Sequence, residues 1–143
     1  MKIIQYQAKI TKGEDGYSVE FLDLPGCFSS GDSLKEALEN SREALDLYLE
    51  EARNPKWKIP QAKERKGKNY YWITPSLEIA IPLTIRELRE RTGRTQPQAA
   101  KILNMTVQQY QKMEYPKKSN PTTKSLITVA SSFGYEIEFK EAN

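Results

Sequence analysis

The stretch TQPQAAKILNMTVQQYQKME, residues 95–114, decides how this chain is read. It divides at Asn104-Met105 into two short segments. Ala99, Ala100 and Leu103 recur at helical spacing in the first, and Val107, Tyr110 and Met113 do so in the second. Thr95 and Thr106 precede the two segments, each a hydroxyl suited to cap a helix start. Pro97 falls in a first turn, where backbone N–H groups lack partners anyway. Away from the apolar positions of the second segment lie Thr106, Gln108, Gln109, Gln111 and Lys112, a dense display of amides on one face.

Two short helices crossing at a small residue, Ala100, and joined by a tight turn make a helix-turn-helix arrangement. The turn needs a residue that tolerates positive φ, and Asn104 meets that need after glycine. Placed in a DNA major groove, the second helix would present its N-terminal residues to base edges. Glutamine suits this, because its amide can pair with adenine N6 and N7 together. Gln108 and Gln111 are the expected base readers, beside Gln109. Thr106 and Val107 could meet thymine methyls. Gln96 is expected at a phosphate, and Lys112, Lys117 and Lys118 to position the protein on the backbone. Residues 85–124 carry 9 Lys/Arg against 3 Asp/Glu, enough to neutralise phosphates.

Flanking helices complete this module. Residues 83–92 form one, with Ile85 and Leu88 inward and Gly93 ending it. Thr122 opens another, with Leu126, Val129, Ala130 and Phe133 inward and Gly134 ending it. Tyr135 to Phe139 alternates like a terminal strand, and residues 75–82 fit either extended chain or a helical turn.

The front of the chain has another grammar. Lys2 to Thr11 and Tyr17 to Asp23 read as strands joined by the turn Gly13-Glu14-Asp15-Gly16. Leu24-Pro25-Gly26 makes a second turn, and Cys27 to Ser30 a short third strand. Ser33 and Glu36 form a capping box for a helix with Leu34, Ala37, Leu38, Ser41, Ala44, Leu45, Tyr48 and Leu49 on one face. That helix should stop before Asn54-Pro55. Residues 55–69, PKWKIPQAKERKGKN, read as a basic linker or mobile loop. Residues 70–74 read as a strand returning to the sheet. The expected fold class is therefore α+β. A three- to four-stranded antiparallel sheet with one helix spans residues 1–74, and an all-α helix-turn-helix domain spans 75–143.

Composition narrows the chemistry. The chain has no histidine and a single cysteine, Cys27, so His-based catalysis, a Cys-rich zinc site and an internal disulfide are excluded. The lone cysteine and the interrupted apolar run at the N-terminus lead to an expected cytoplasmic location, with no membrane partner and no cofactor. The net charge of +3 conceals a split. Residues 1–55 hold 6 basic and 11 acidic side chains, while residues 56–143 hold 16 and 8. A basic partner for the front half and an anionic one for the back half follow from that division. Asp15, Glu20 and Asp23 raise the idea of a carboxylate metal nuclease. Their placement in turns and on opposite strand faces speaks against it, and the chain is expected not to be an enzyme.

Two resemblances add to this. Thr95-Gln96, Ala100, Leu103, Val107, Glu114 and Asn120-Pro121 resemble the phage-repressor (Cro/cI-type) helix-turn-helix family over about residues 83–134, with Asn104 in place of the usual glycine. Asp15-Gly16-Tyr17, Asp23-Leu24-Pro25-Gly26-Cys27, Gly31-Asp32-Ser33, Glu36-Ala37 and Glu43-Ala44 resemble the N-terminal domain of HicB antitoxins. That resemblance implies a partial ribonuclease-H-like fold without its catalytic acids. It also implies binding and neutralisation of a HicA-like toxin, a small basic ribonuclease that cleaves mRNA. Operator double-stranded DNA would be the second partner, bound for autorepression by a homodimer or higher oligomer. Asp23, Leu24, Pro25, Gly26 and Cys27 are the expected toxin contacts. The alternative is a ligand-sensing helix-turn-helix regulator with no toxin partner.

Overall fold

The computed structural model describes residues 2–142. Four strands form one antiparallel sheet: β1 (Tyr6–Gly13), β2 (Gly16–Glu20), β3 (Phe28–Gly31) and β4 (Tyr70–Ile73), in the order β3-β2-β1-β4. Ile10 sits opposite Val19, and Tyr6 opposite Ile73, which puts the apolar alternation of these strands on one face. Helix α1 (Leu34–Leu49) covers that face with Ala37, Ser41, Leu45 and Leu49. Ser33 Oγ accepts from the Glu36 N–H at 3.1 Å, one half of the expected capping box. Gly31 is required where β3 meets α1, because a Cβ there would run into the backbone of Glu36 and Ala37. The helix tightens into a 3₁₀ turn over Glu50–Arg53 and stops before Pro55.

Four further helices follow: α2 (Leu77–Arg91), α3 (Gln96–Ile102), α4 (Val107–Met113) and α5 (Thr123–Ser132). Helix α2 resolves the open reading of residues 75–82. It begins at Leu77 and carries Pro82 inside it. Proline has no N–H, so the carbonyl four residues earlier, at Glu78, loses its helical donor. The Lys117 N–H fills that place at 2.8 Å, from a loop residue held at φ +66°.

Helix α2 also serves two cores. Ile79, Ala80 and Leu83 pack with the sheet and α1, whereas Ile85 and Leu88 pack with Ala99, Ala100, Tyr110, Met113, Val129 and Phe133. The cores divide between Leu83 and Ile85, inside one continuous helix, rather than at the expected 74/75. Periodicity could not show this, since both halves of α2 are apolar.

Three other expectations change. The basic segment 55–69 is no mobile linker: it is a strap docked on the sheet. Ile59 is buried, and the Tyr6 hydroxyl donates to the Pro60 carbonyl at 2.8 Å. The Gln7 side chain pairs with both backbone groups of Arg65, at 2.6 and 3.0 Å. Its charges misled because aliphatic and aromatic anchors lie between them. Strand β1 begins at Tyr6 rather than Lys2, because the Ile4 N–H turns to Thr84 Oγ1 on α2 at 3.0 Å. Tyr135 to Phe139 forms no strand. The Tyr135 N–H closes the end of α5 on the Ala130 carbonyl at 2.8 Å, and Phe139 beyond it is 95% exposed.

Candidate nucleic-acid interface and partner turn

The α3–α4 pair is built from its caps. Thr95 Oγ1 accepts from the Gln98 N–H at 3.3 Å, and Gln98 Oε1 accepts from the Thr95 N–H at 2.9 Å. The same reciprocal box joins Thr106 and Gln109, at 3.1 and 2.9 Å. Asn104 takes φ +56°, and the Met105 N–H returns to the Ala100 carbonyl at 2.9 Å. Buried Ala99 and Ala100 leave room for the crossing. Helix α4 is thereby fixed in angle before any ligand arrives.

Behind α4 lies an ion pair that sequence reasoning missed. Arg89 on α2 grips Glu114 through Nε and Nη2 at 2.6 and 3.0 Å, and both side chains are almost wholly covered. A fork of this kind is among the stronger polar contacts available to a fold. Burial, then the Glu114 charge, pushes the nearby Tyr110 hydroxyl well above its ordinary pKa. The signal in the sequence was arginine at 86 and 89 on the stripe carrying Ile85 and Leu88. Arg86 is equally buried. Its guanidinium donates to the carbonyls of Ala52, Pro55 and Trp57, while its Nε pairs with Glu90 at 2.9 Å. This clamp holds the end of α1 and the start of the strap onto α2.

The residues expected at DNA are sorted by this geometry. Thr106, Gln108, Gln109, Gln111, Lys112 and Lys118 are exposed, and Val107 is half-buried. Gln109 commits its carbonyl oxygen to the cap and keeps its NH₂ free for other work. Gln96 donates to Glu114 Oε1 at 3.1 Å, so one of its amide hydrogens points inward instead of toward a phosphate. Lys117 reaches back to pair with Glu50, whose carboxyl is held below its usual range chiefly by that bond. Lys118 instead lies over the Tyr115 ring, 5.4 Å from its centroid.

The Asp23–Cys27 turn is sorted too. Leu24 and Cys27 are buried, and burial pushes the Cys27 thiol up to about 11. Asp23 accepts two bonds from Arg65, at 2.8 and 3.1 Å, and a third from the Lys63 N–H at 2.9 Å. The Arg65 bonds are the main reason its carboxyl sits below the ordinary aspartate range. Only Pro25 and Gly26, with φ +87° at Gly26, stand in solvent. Leu24 and Cys27 shape the turn from inside, Asp23 ties it to the strap, and Pro25 and Gly26 are its exposed positions.

These features define a class: a sheet-and-helix module joined through a shared helix to a helix-turn-helix module. Comparison with known proteins gives the family. The model for the HicB-like antitoxin of bacterial toxin–antitoxin systems matches residues 6–110, and a helix-turn-helix model matches residues 85–140. The chain belongs to the HicB-like antitoxin family. It is 28% identical over 116 residues to "Antitoxin HicB 2" of Photorhabdus laumondii, covering 78% of each chain. It is 49% identical over 45 residues to an uncharacterised 14.9 kDa protein of Haemophilus phage HP1, covering 32% of this chain and about a third (34%) of that relative. Among solved structures it is similar to a HicA3 and HicB3 toxin–antitoxin complex, with a TM-score of 0.37 and 27% identity, over 43% of this chain and 72% of that one. Among the described residues, no helix is long and apolar enough to cross a membrane. HicB-like antitoxins and helix-turn-helix regulators are generally not enzymes.

Proposed function

We propose that this chain is a non-enzymatic antitoxin with two partners. Its sheet module binds and neutralises a HicA-like, mRNA-cleaving toxin, and its helix-turn-helix module represses its own operon by binding operator DNA as a dimer. The observation that carries the DNA half is the solvent-facing row Gln108, Gln111 and Lys112 on a helix locked by its caps and by Arg89–Glu114. Two pairing amides and one phosphate-seeking ammonium on a short helix are the equipment of major-groove readout. The strap balances the module's net charge, but the acids are gathered in residues 1–55, 11 against 6 basic side chains, and that local excess supports a basic, RNA-binding toxin as the other partner.

The test is co-expression with the neighbouring small open reading frame, followed by a gel shift on the upstream duplex. Relief of growth arrest, a co-purifying complex and a retarded band are expected. Absence of both relief and complex would favour the second reading, a ligand-sensing regulator. One feature suits that reading: a cavity of about 360 Å³ where the modules meet, lined by Lys2, Gln5, Trp72, Thr84, Arg91 and Tyr135.

A further inference from the structure

Helix α4 stands as a ridge between two notches. On one side, Gln109, Lys112, Lys118 and Asn120 line a crevice of about 410 Å³. All of these belong to the helical half. On the other side, Gln96, Gln111 and Tyr115 face a crevice of about 210 Å³ whose far wall is Ala52, Arg53 and Pro55. That wall comes from the end of α1 and the start of the strap, which belong to the sheet half.

A helix lying in a major groove has a phosphate backbone on each side, because the groove is only about 12 Å wide. The first notch offers two lysines to one backbone. In the second notch the helical half offers the amides of Gln96 and Gln111 beside Tyr115, while its two charged groups there are already taken, Glu114 by Arg89 and Arg86 by Glu90 and the Ala52, Pro55 and Trp57 carbonyls. The exposed cation there is Arg53. Its one ion-pair contact is loose: Nη1 lies 3.9 Å from Glu50 Oε2, while the other oxygen of Glu50 is taken by Lys117. Its guanidinium therefore keeps donors for an outside anion. Arg53 is also held in place. Arg86 fastens the carbonyls of Ala52, Pro55 and Trp57, on both sides of it, to α2.

We infer that Arg53, a residue of the sheet module, binds a backbone phosphate of the duplex on the flank of α4 opposite Lys118. The DNA footprint then extends past the helix-turn-helix, and the notch between the modules is a phosphate seat made jointly by both. This rests on the DNA-binding reading above and adds a contact that the helix-turn-helix alone does not contain.

The experiment uses the full chain, a random-sequence duplex and the duplex upstream of its gene. Affinity is measured against salt concentration for wild type, Arg53→Gln, Arg53→Lys and Lys118→Ala. Each neutralised phosphate contributes about one unit to the slope of log affinity against log salt. Arg53→Gln is expected to lower the slope by about one unit on both duplexes, as Lys118→Ala does, with the melting temperature unchanged. Arg53→Lys should retain the slope, since the charge survives. A wild-type slope in Arg53→Gln beside a reduced one in Lys118→Ala overturns the inference while leaving DNA binding intact. Failure of the wild type to bind either duplex overturns the DNA-binding reading itself, and this inference with it.

Discussion

The two halves of the molecule direct their polar side chains in opposite ways. In the sheet half, Gln7, Asp23 and Arg65 turn inward, where strand, strap and turn satisfy one another at 2.6–3.1 Å. In the helical half, Gln108, Gln111 and Lys112 stand in solvent on a helix whose angle other residues have already fixed. Buried polar groups satisfied inside the chain specify a unique fold. Groups left in water on a rigid element are free to specify a partner. The contrast separates residues that resemble a family because they shape it from residues that act for it.

The sharpest challenge to this division is a polar residue of the helical half that does turn inward. Glu114→Ala strips the buried Arg89 guanidinium of its close carboxylate, leaving the Arg94 carbonyl and Glu90 at 4.0 Å, and loss of one member of a buried pair costs about 3–5 kcal/mol. Urea unfolding is expected to show that loss, and DNA affinity should fall with it. A small change would mean that water or Gln96 replaces the carboxylate. Next comes the turn of the sheet half. Leu24→Ala empties a fully buried site and should cost about 2–5 kcal/mol. Its neighbour Pro25 is exposed, so Pro25→Ala should cost only about 0.4–1 kcal/mol, which a turn proline contributes by restricting the unfolded chain. If the turn touches a toxin, the Pro25 variant should weaken the complex by more than it weakens the fold.

These pairs also show how much was legible beforehand. The strand alternation at Tyr17, Val19 and Phe21, the α1 stripe, the Thr95 and Thr106 caps and the positive φ of Asn104 were all readable. Each is a local rule acting within a few residues. What escaped was long-range. Nothing near Asp23 announces that Arg65, 42 residues on, will claim it. Nothing near Pro82 shows that Lys117 will supply the missing donor. The strap looked mobile because Lys and Pro dominate it, while its anchors, Trp57, Ile59 and Arg65, are few and need the sheet as a partner. In the candidate site the exposed amides were legible as a helix face. The inward turn of Gln96 and Lys117 depended on Glu114 and Glu50, which lie on other elements.

A smaller effect sharpens the other side of the contrast. Gln108→Ala should leave unfolding unchanged and cost about 1–3 kcal/mol on the specific duplex alone. Equal weakening on random-sequence DNA would reduce Gln108 to a backbone contact. The Asp23–Arg65 pair gives a pH counterpart in the sheet half. Asp23 is held below its usual range in the folded chain, so the pair's contribution is whole above about pH 4, the ordinary aspartate value. It is lost as pH falls from there through the lower folded value. Arg65→Gln should therefore flatten part of the acid limb of stability against pH. An unchanged limb would assign acid sensitivity to other carboxylates.

The smallest expected effect is the most discriminating for how the halves work together. Lys117 and Lys118 are adjacent cations in one basic loop, and by charge alone they should serve DNA equally. The structure separates them. Lys117 is bound twice to the rest of the chain, by its N–H to the Glu78 carbonyl that Pro82 leaves open and by its ammonium to Glu50. The Lys118 N–H bonds the Tyr115 carbonyl within its own turn at 3.1 Å, and its ammonium is committed to no carboxylate among the described residues, lying over the face of Tyr115. Lys117→Ala should therefore leave the salt dependence of duplex binding at its wild-type slope, whereas Lys118→Ala lowers it by about one unit. Equal drops for the two would carry a specific meaning. Glu50 would then release Lys117 to a phosphate on binding, and the carboxylate it leaves would pass to Arg53, so that the sheet half would adjust its charges whenever the helical half engages DNA.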